Sequence, residues 1–285
     1  MSKEAPEFPF GVRLRIAYDG TDFHGWQFQG HGLRTVQGEL EKGVAALGLR
    51  AGRIRGASRT DAGVHAQGQV VQFACERQIP SSGLRIGLNG VLPHDIVVTE
   101  ATTCHRLYNP RFDADKKLYR YRIAVGEFRD PLTRRQAWQY GPRIARRDQG
   151  RERRACVADY LDVPAMKAAA AKLVGHHDFQ AFRAYDDGRE HTERTMERVD
   201  VIESYGGQAD QLAFEIVGDG FMKNMIRIFA GTLADVGRQR LQPEVIDAML
   251  AADGGRSMGG PTAPPHGLSL VQIWLVRGDH KRAAL

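Results

Sequence analysis

Leu118-Tyr119-Arg120-Tyr121-Arg122-Ile123-Ala124-Val125 reads as a strand, and it decides the fold because it restarts an order of elements the chain has already run once. The first run opens at Val12-Arg13-Leu14-Arg15-Ile16-Ala17-Tyr18, where apolar and polar residues alternate with the period of a strand. Residues 36–49 then place Val36, Leu40, Val44 and Leu47 on one helical face. A short strand over 53–57, a strand over 68–75 through Val70, Val71 and Phe73, a helix over 81–91 and a strand over 96–99 complete that run. After 118–125 the order returns. A helix runs through Met166, Ala170, Leu173 and Val174, two strands over 199–202 and 212–217 flank a Gly206-Gly207 turn, a helix covers 222–236 and a strand over 268–276 closes the chain.

Each half, residues 1–112 and residues 113–285, therefore reads as βαββαβ, the ferredoxin-like or RRM-like unit. The expected fold class is α+β, with the two halves forming one continuous antiparallel sheet that carries its helices on one face. The repeat lives in pattern and not in identities. Residues 254–265, supplied with Gly and Pro, read as a loop. The strongest charge cluster lies in the second half, where Arg143, Arg146, Arg147, Arg151, Arg153 and Arg154 face only Asp148 and Glu152. Such a stretch is either a solvated loop or a phosphate contact.

A chain of 285 residues suffices for one large domain or two coupled halves. No apolar run approaches the roughly 18 residues that span a bilayer, so no membrane segment is expected. Met1-Ser2-Lys3-Glu4-Ala5-Pro6 lacks the basic start and apolar stretch of a secretory signal, which points to the cytoplasm. Cys75, Cys104 and Cys156 are odd in number and far apart, which suits a reducing compartment and supplies neither a disulfide framework nor a CxxC zinc half-site. The net charge of +6 suits a polyanionic partner.

The segment that carries chemistry is Gly56-Ala57-Ser58-Arg59-Thr60-Asp61-Ala62-Gly63-Val64-His65-Ala66-Gln67-Gly68-Gln69-Val70. It is too polar for a core and too rich in Gly and Asp for a helix, and so reads as a turn between strands, where catalytic groups concentrate. Taken alone, an Arg-Thr-Asp-Ala-Gly turn is also what an Asp bonded to backbone amides beside a positive-φ Gly would look like.

Residues 59–66 with Gly68-Gln69-Val70 resemble the signature of the TruA-type tRNA pseudouridine synthases. Tyr18-Asp19-Gly20, Gly25-Trp26-Gln27-Phe28-Gln29, Lys117-Leu118-Tyr119-Arg120-Tyr121 and Phe221-Met222-Lys223-Asn224-Met225-Ile226-Arg227 support the likeness. Gly175-His176-His177-Asp178-Phe179 and Ala263-Pro264-Pro265-His266-Gly267-Leu268 follow in the family's order, so the resemblance covers nearly the whole chain. Two departures stand out. Ser58 occupies a usual glycine position, and Tyr108-Asn109-Pro110-Arg111-Phe112 replaces the common Phe-His-Ala-Arg-Phe. A Ser58 forced to positive φ would carry about 1 kcal/mol of strain.

The resemblance implies an isomerase that converts uridine to pseudouridine at positions 38 to 40 of the tRNA anticodon arm, acting as a homodimer. Breaking uracil N1 from ribose C1′ and rejoining through C5 imports no atoms, so neither a cofactor nor a metal is implied. The step does need a nucleophile or electrostatic partner while base and sugar are apart. By resemblance Asp61 is that nucleophile, Arg227 its charge partner from the second half, and the site a cleft between the halves. Tyr119 resembles the family tyrosine that stacks on the target uracil, although a strand-core role would fit its sequence equally. Arg59, two residues before Asp61 on an extended segment, would grip a flanking phosphate.

His65 reads as a hydrogen-bonded loop histidine. His176-His177-Asp178 is expected on a helix, where neighbours project about 100° apart and do not share a metal. Two other functions compete. A non-catalytic tandem RNA-binding module would show an RNP1-like aromatic strand, and Gly68-Gln69-Val70-Val71-Gln72-Phe73 lacks one. A metal-dependent phosphodiesterase would want clustered ligands, and the carboxylates here are scattered.

Overall fold

The computed structural model describes residues 7–30, 32–126, 128–140 and 156–276. The arginine-rich stretch of residues 143–154 lies wholly outside the described residues. The chain divides into two compact units, residues 1–117 with 270–285, and residues 118–269. Its class is α+β, with strand ladders that are mostly antiparallel.

The first unit begins with β1 (Phe10–Tyr18), α1 (Val36–Ala46), β2 (Arg55–Gly56), β3 (His65–Cys75), α2 (Ser81–Val91) and β4 (Ile96–Cys104). This is the βαββαβ order expected of the first half. β1 lies between β4 and β3 and pairs antiparallel with both, with Leu14 opposite Val71 and Val12 opposite Phe73. The alternation that marks β1 as a strand also fixes its register, since a slip of one residue would turn Leu14 and Ile16 out of the core. Leu14, Ile16, Phe73, Leu40, Leu84 and Leu88 are all buried, and each stabilises the unit by about 1.5–3 kcal/mol on leaving water.

Helix α1 starts where the side chain of Thr35 accepts the Gly38 amide at 3.2 Å, a side-chain cap. It stops at Ala46, short of the 49 that apolar spacing suggests, because Gly48 adopts φ 67° and terminates it. Helix α2 has the bounds its spacing indicates.

The second unit holds most of β5 (Ala114–Val125), then β6 (Trp138–Tyr140), α3 (Val163–Ala171), β7 (Gly175–Asp178), β8 (Glu193–Glu203), β9 (Gln211–Gly218), α4 (Met225–Gly237) and α5 (Val245–Leu250). Here the order is β5-β9-β8-β7, with the short β6 parallel to β5. Strand β10 (Leu268–Leu275) ends the described chain, and its residues from Leu270 cluster with the first unit. Phe179, Phe182 and Phe229 form an aromatic knot in the second unit, with ring centroids 5.0 to 5.8 Å apart, and α4 packs on α3.

One expectation about local structure fails. His176, His177 and Asp178 lie on a strand, β7, and not on a helix. Gly175 at φ 121° turns the chain out of α3's path, and His176 then joins the ladder opposite Thr195, whose hydroxyl lies 3.1 Å from its Nδ1. Adjacent strand residues point to opposite faces, so the pair still does not converge on one ion. The helix expected from 222 begins at Met225, because Asn224 takes a left-handed φ of 62°.

Candidate active site

The turn between β2 and β3 carries Asp61, and its backbone is held from both sides. Ahead of Asp61, the Trp26 amide donates to the Thr60 carbonyl at 3.0 Å and the Tyr18 hydroxyl meets the Thr60 hydroxyl at 2.8 Å. Thr60, Tyr18 and Trp26 are all buried. Behind it, the Gly63 amide donates to the Phe23 carbonyl at 3.2 Å and the Val64 amide closes the turn on the Asp61 carbonyl at 3.2 Å.

Gly63 has φ 77°, a conformation glycine adopts without strain. Gly20 meets the turn so closely that a Cβ on it would stand 2.0 Å from the Val64 carbonyl oxygen. Asp61 itself is half-buried and Arg59 is exposed.

The entry to this turn is fixed by one buried side chain. Gln69 donates to the Ser58 carbonyl at 2.7 Å and accepts the Ser58 amide at 3.2 Å. Ser58 needs no strain: among the described residues the non-glycine positions at positive φ are Ser204, Asn224 and Gln239. The family's usual glycine is therefore dispensable here on backbone grounds.

His65 is buried, and its Nδ1 accepts the Gly20 amide at 3.0 Å. Asp19 Oδ1 lies 3.1 Å from the same nitrogen while also accepting the amide and hydroxyl of Thr21. This histidine braces the 19–21 turn against the start of β3.

In the second unit, Arg227 occupies the third position of α4. Its Nε donates to the Ala263 carbonyl at 2.7 Å and its Nη1 to Asn224 Oδ1 at 2.7 Å, while its own carbonyl accepts the Ala263 amide at 3.0 Å. The next carbonyl of that segment, Pro264, accepts from the Tyr121 hydroxyl at 2.8 Å. Burial pushes the Tyr121 phenol well above its ordinary range, against a smaller opposing effect of Arg227, so it stays a protonated donor.

The first turn of α4 contains no acidic residue. The helix N-terminus, equivalent to about half a positive charge, and the guanidinium therefore have the same sign, which makes the spot attractive to an anion. Tyr119 is 5 % exposed and packs edge to face on Phe221, with centroids 5.2 Å apart.

Asp61 and Arg59 thus stand in the first unit, and Tyr119 and Arg227 in the second. Sequence reasoning passed over Asn224 and the Ala263 carbonyl as holders of Arg227. It also passed over Asp186 and Asp187, whose Asp-Asp-Gly turn signal was there to be read. Among the described residues no group of three or more His, Cys, Asp or Glu is placed to hold a metal ion, and no helix is long and apolar enough to cross a membrane.

A family model described as tRNA pseudouridine synthase matches residues 15–113 and 169–274. The chain belongs to the tRNA pseudouridine synthase family. It is 39% identical over 263 residues to the tRNA pseudouridine synthase A of Citrifermentans bemidjiense, covering 92% of this chain and 96% of that one. Similar proteins of the same name occur in Geobacter sp. strain M21, 39% identical over 92% of this chain and 98% of theirs, and in Moorella thermoacetica, 38% identical over the same shares.

The matched stretches contain the Asp61 turn, the Arg227 helix start and the Ala263–Pro264 segment, while Tyr119 falls between them. The synthase is an isomerase acting on tRNA uridine, as the resemblance read from the sequence implies.

Proposed function

We propose that this synthase isomerises uridines at positions 38 to 40 in the anticodon arm of tRNA, with Asp61 as the nucleophile. In this reading the Asp61 carboxylate bonds to the nucleoside as the bond from uracil N1 to ribose C1′ breaks. The freed base turns and bonds to C1′ through C5, the carboxylate leaves with its electron pair, C5 gives its hydrogen to solvent and N1 gains a proton. Atoms and charge balance without a co-reactant, which is why no cofactor is invoked.

Arg227 is the charge partner that keeps the carboxylate ionised. Tyr119 is the stacking surface for the target base and Arg59 the phosphate contact. The enzyme works as a homodimer in the cytoplasm.

The observation that carries the reading is the way Asp61 is presented. A half-buried carboxylate sits on a turn whose backbone is bonded to Trp26 and Phe23 on either side. Such preorganisation is what a reaction with no mobile cofactor must rely on. The cation in the first turn of α4 is consistent with it, since a positive charge there costs the helix about 0.3–1 kcal/mol and Arg227 is held there by Ala263 and Asn224.

Mapping pseudouridines in tRNA from cells with and without the protein tests the assignment. Loss confined to positions 38 to 40 is expected, and loss at other positions, with these three intact, would refute the anticodon-arm reading.

A further inference from the structure

Residues 183–189, Arg-Ala-Tyr-Asp-Asp-Gly-Arg, form a loop before β8 in the second unit, and Tyr185 on it is 86% exposed. The loop is nevertheless tightly held. The Ala184 amide donates to the Lys223 carbonyl at 3.1 Å, and the buried Asp187 accepts the Lys223 amide at 2.8 Å and the Arg189 amide at 3.3 Å. Lys223 Nζ reaches Asp186 at 2.6 Å, and Arg189 Nη1 donates to the Phe221 carbonyl at 3.0 Å. Arg183 donates to the Arg189 carbonyl and closes the loop on itself.

Every one of the contacts outside the loop falls on residues 221–223. That tripeptide carries the ring against which Tyr119 packs and leads into Asn224, the side chain that holds Arg227. The loop is thus built on the segment that positions two of the residues assigned to the reaction.

Fixing seven residues costs backbone entropy of about 1–2 kcal/mol each, and a ring left in water returns none of it. An exposed aromatic on a rigid loop, with a half-exposed guanidinium four residues on, is instead the chemistry that holds an unstacked nucleobase and its phosphate. We infer that Tyr185 is a stacking platform for a tRNA nucleobase flanking the target uridine, with Arg189 contacting the adjoining phosphate. Asp187 is the positioning residue that keeps both in place. The inference rests on the reading of Arg227 and Tyr119 as parts of the reaction centre.

The test uses the full chain and full-length tRNA, measuring binding affinity together with kcat and KM for release of tritium from uracil C5. Tyr185→Ala should weaken binding and raise KM on the order of tenfold, as loss of one base–aromatic stack does, with kcat within about twofold of wild type. Tyr185→Trp should restore both. Arg189→Ala should lower the slope of log affinity against log salt by about 0.7–0.9.

Affinity and KM unchanged in Tyr185→Ala would overturn the inference, as would equal losses in Tyr185→Ala and Tyr185→Trp. A changed oligomeric mass with unchanged tRNA affinity would overturn it in favour of a protein contact. Arg227→Ala assayed beside them keeps the two readings apart: full turnover in that variant would sink the reaction-centre assignment, while the binding data for Tyr185 would still stand or fall by themselves.

Discussion

Around Asp61 the contacts that hold the turn itself run mainly from backbone to backbone, Trp26 to Thr60 and Gly63 to Phe23, with the Gln69 and Tyr18 side chains adding bonds to Ser58 and Thr60. Around Arg227 they run mainly from side chains to carbonyls and an amide oxygen, Arg227 to Ala263 and Asn224, and Tyr121 to Pro264, beside one backbone bond from the Ala263 amide to the Arg227 carbonyl. The first kind of site depends on how closely two chains can approach, and so on glycine. The second depends on particular side chains over a helix start whose backbone would form without them. Substitutions near Asp61 should therefore act mainly through backbone packing, and those near Arg227 mainly through the polar contacts.

The largest effect expected on stability is at Gly20, where an added methyl group meets the Val64 carbonyl oxygen at 2.0 Å. Because the obstacle is backbone, Gly20→Ala should cost about 3 kcal/mol, seen as a lower midpoint in urea denaturation. A loss under about 1 kcal/mol would mean that the turn yields easily, and the contrast between the two regions would lose its basis.

Next comes Gly63→Ala. Here the cost is conformational, since φ is 77° and an L residue held there loses about 1–2 kcal/mol. The same measurement checks it. Stability unchanged from wild type would show that the turn can switch to an ordinary conformation and is less rigid than its hydrogen bonds imply.

Tyr121→Phe probes the other region and should be the mildest, at about 1 kcal/mol for one neutral hydrogen bond. Its pH dependence gives it a signature. Burial raises the Tyr121 pKa in the folded protein, so the folded state holds the proton more tightly than the unfolded chain. The stability this contributes is complete below the ordinary phenol pKa of about 10 and drains away as pH rises beyond it. The gap between wild type and Tyr121→Phe should accordingly narrow above about pH 10, and a constant gap from neutral pH to pH 11 would argue against the buried phenol.

Much of this architecture is legible in the sequence where packing repeats at a fixed period. The alternation of Val12, Leu14 and Ile16 and the helical spacing of Leu84 and Leu88 gave β1 and α2 because one face of each is buried. The strand β7 was missed because its side chains, His176 to Asp178, are half-buried or exposed and offer no apolar alternation. The three residues of β6 and the six of α5 are too short for either period to show.

For the site, the Asp61 turn could be recognised as a contiguous motif. The holders of Arg227 could not, since Asn224 and Ala263 are joined only by the folded backbone. The same is true of Asp187 and Lys223, whose bond spans 36 positions. Arg59, by contrast, is placed on the Asp61 turn by its position in the sequence alone.

The central claim is that Asp61 is the group on which turnover depends. With tRNA tritiated at uracil C5, the wild-type protein should release label to water with no added metal, nucleotide or redox cofactor. Asp61→Asn keeps the volume and most of the hydrogen bonding of the side chain while removing its charge. It should bind tRNA with near wild-type affinity, because affinity comes from phosphate and stacking contacts, yet release label at least about a thousandfold more slowly. Release by Asp61→Asn at a rate near that of wild type would contradict the account.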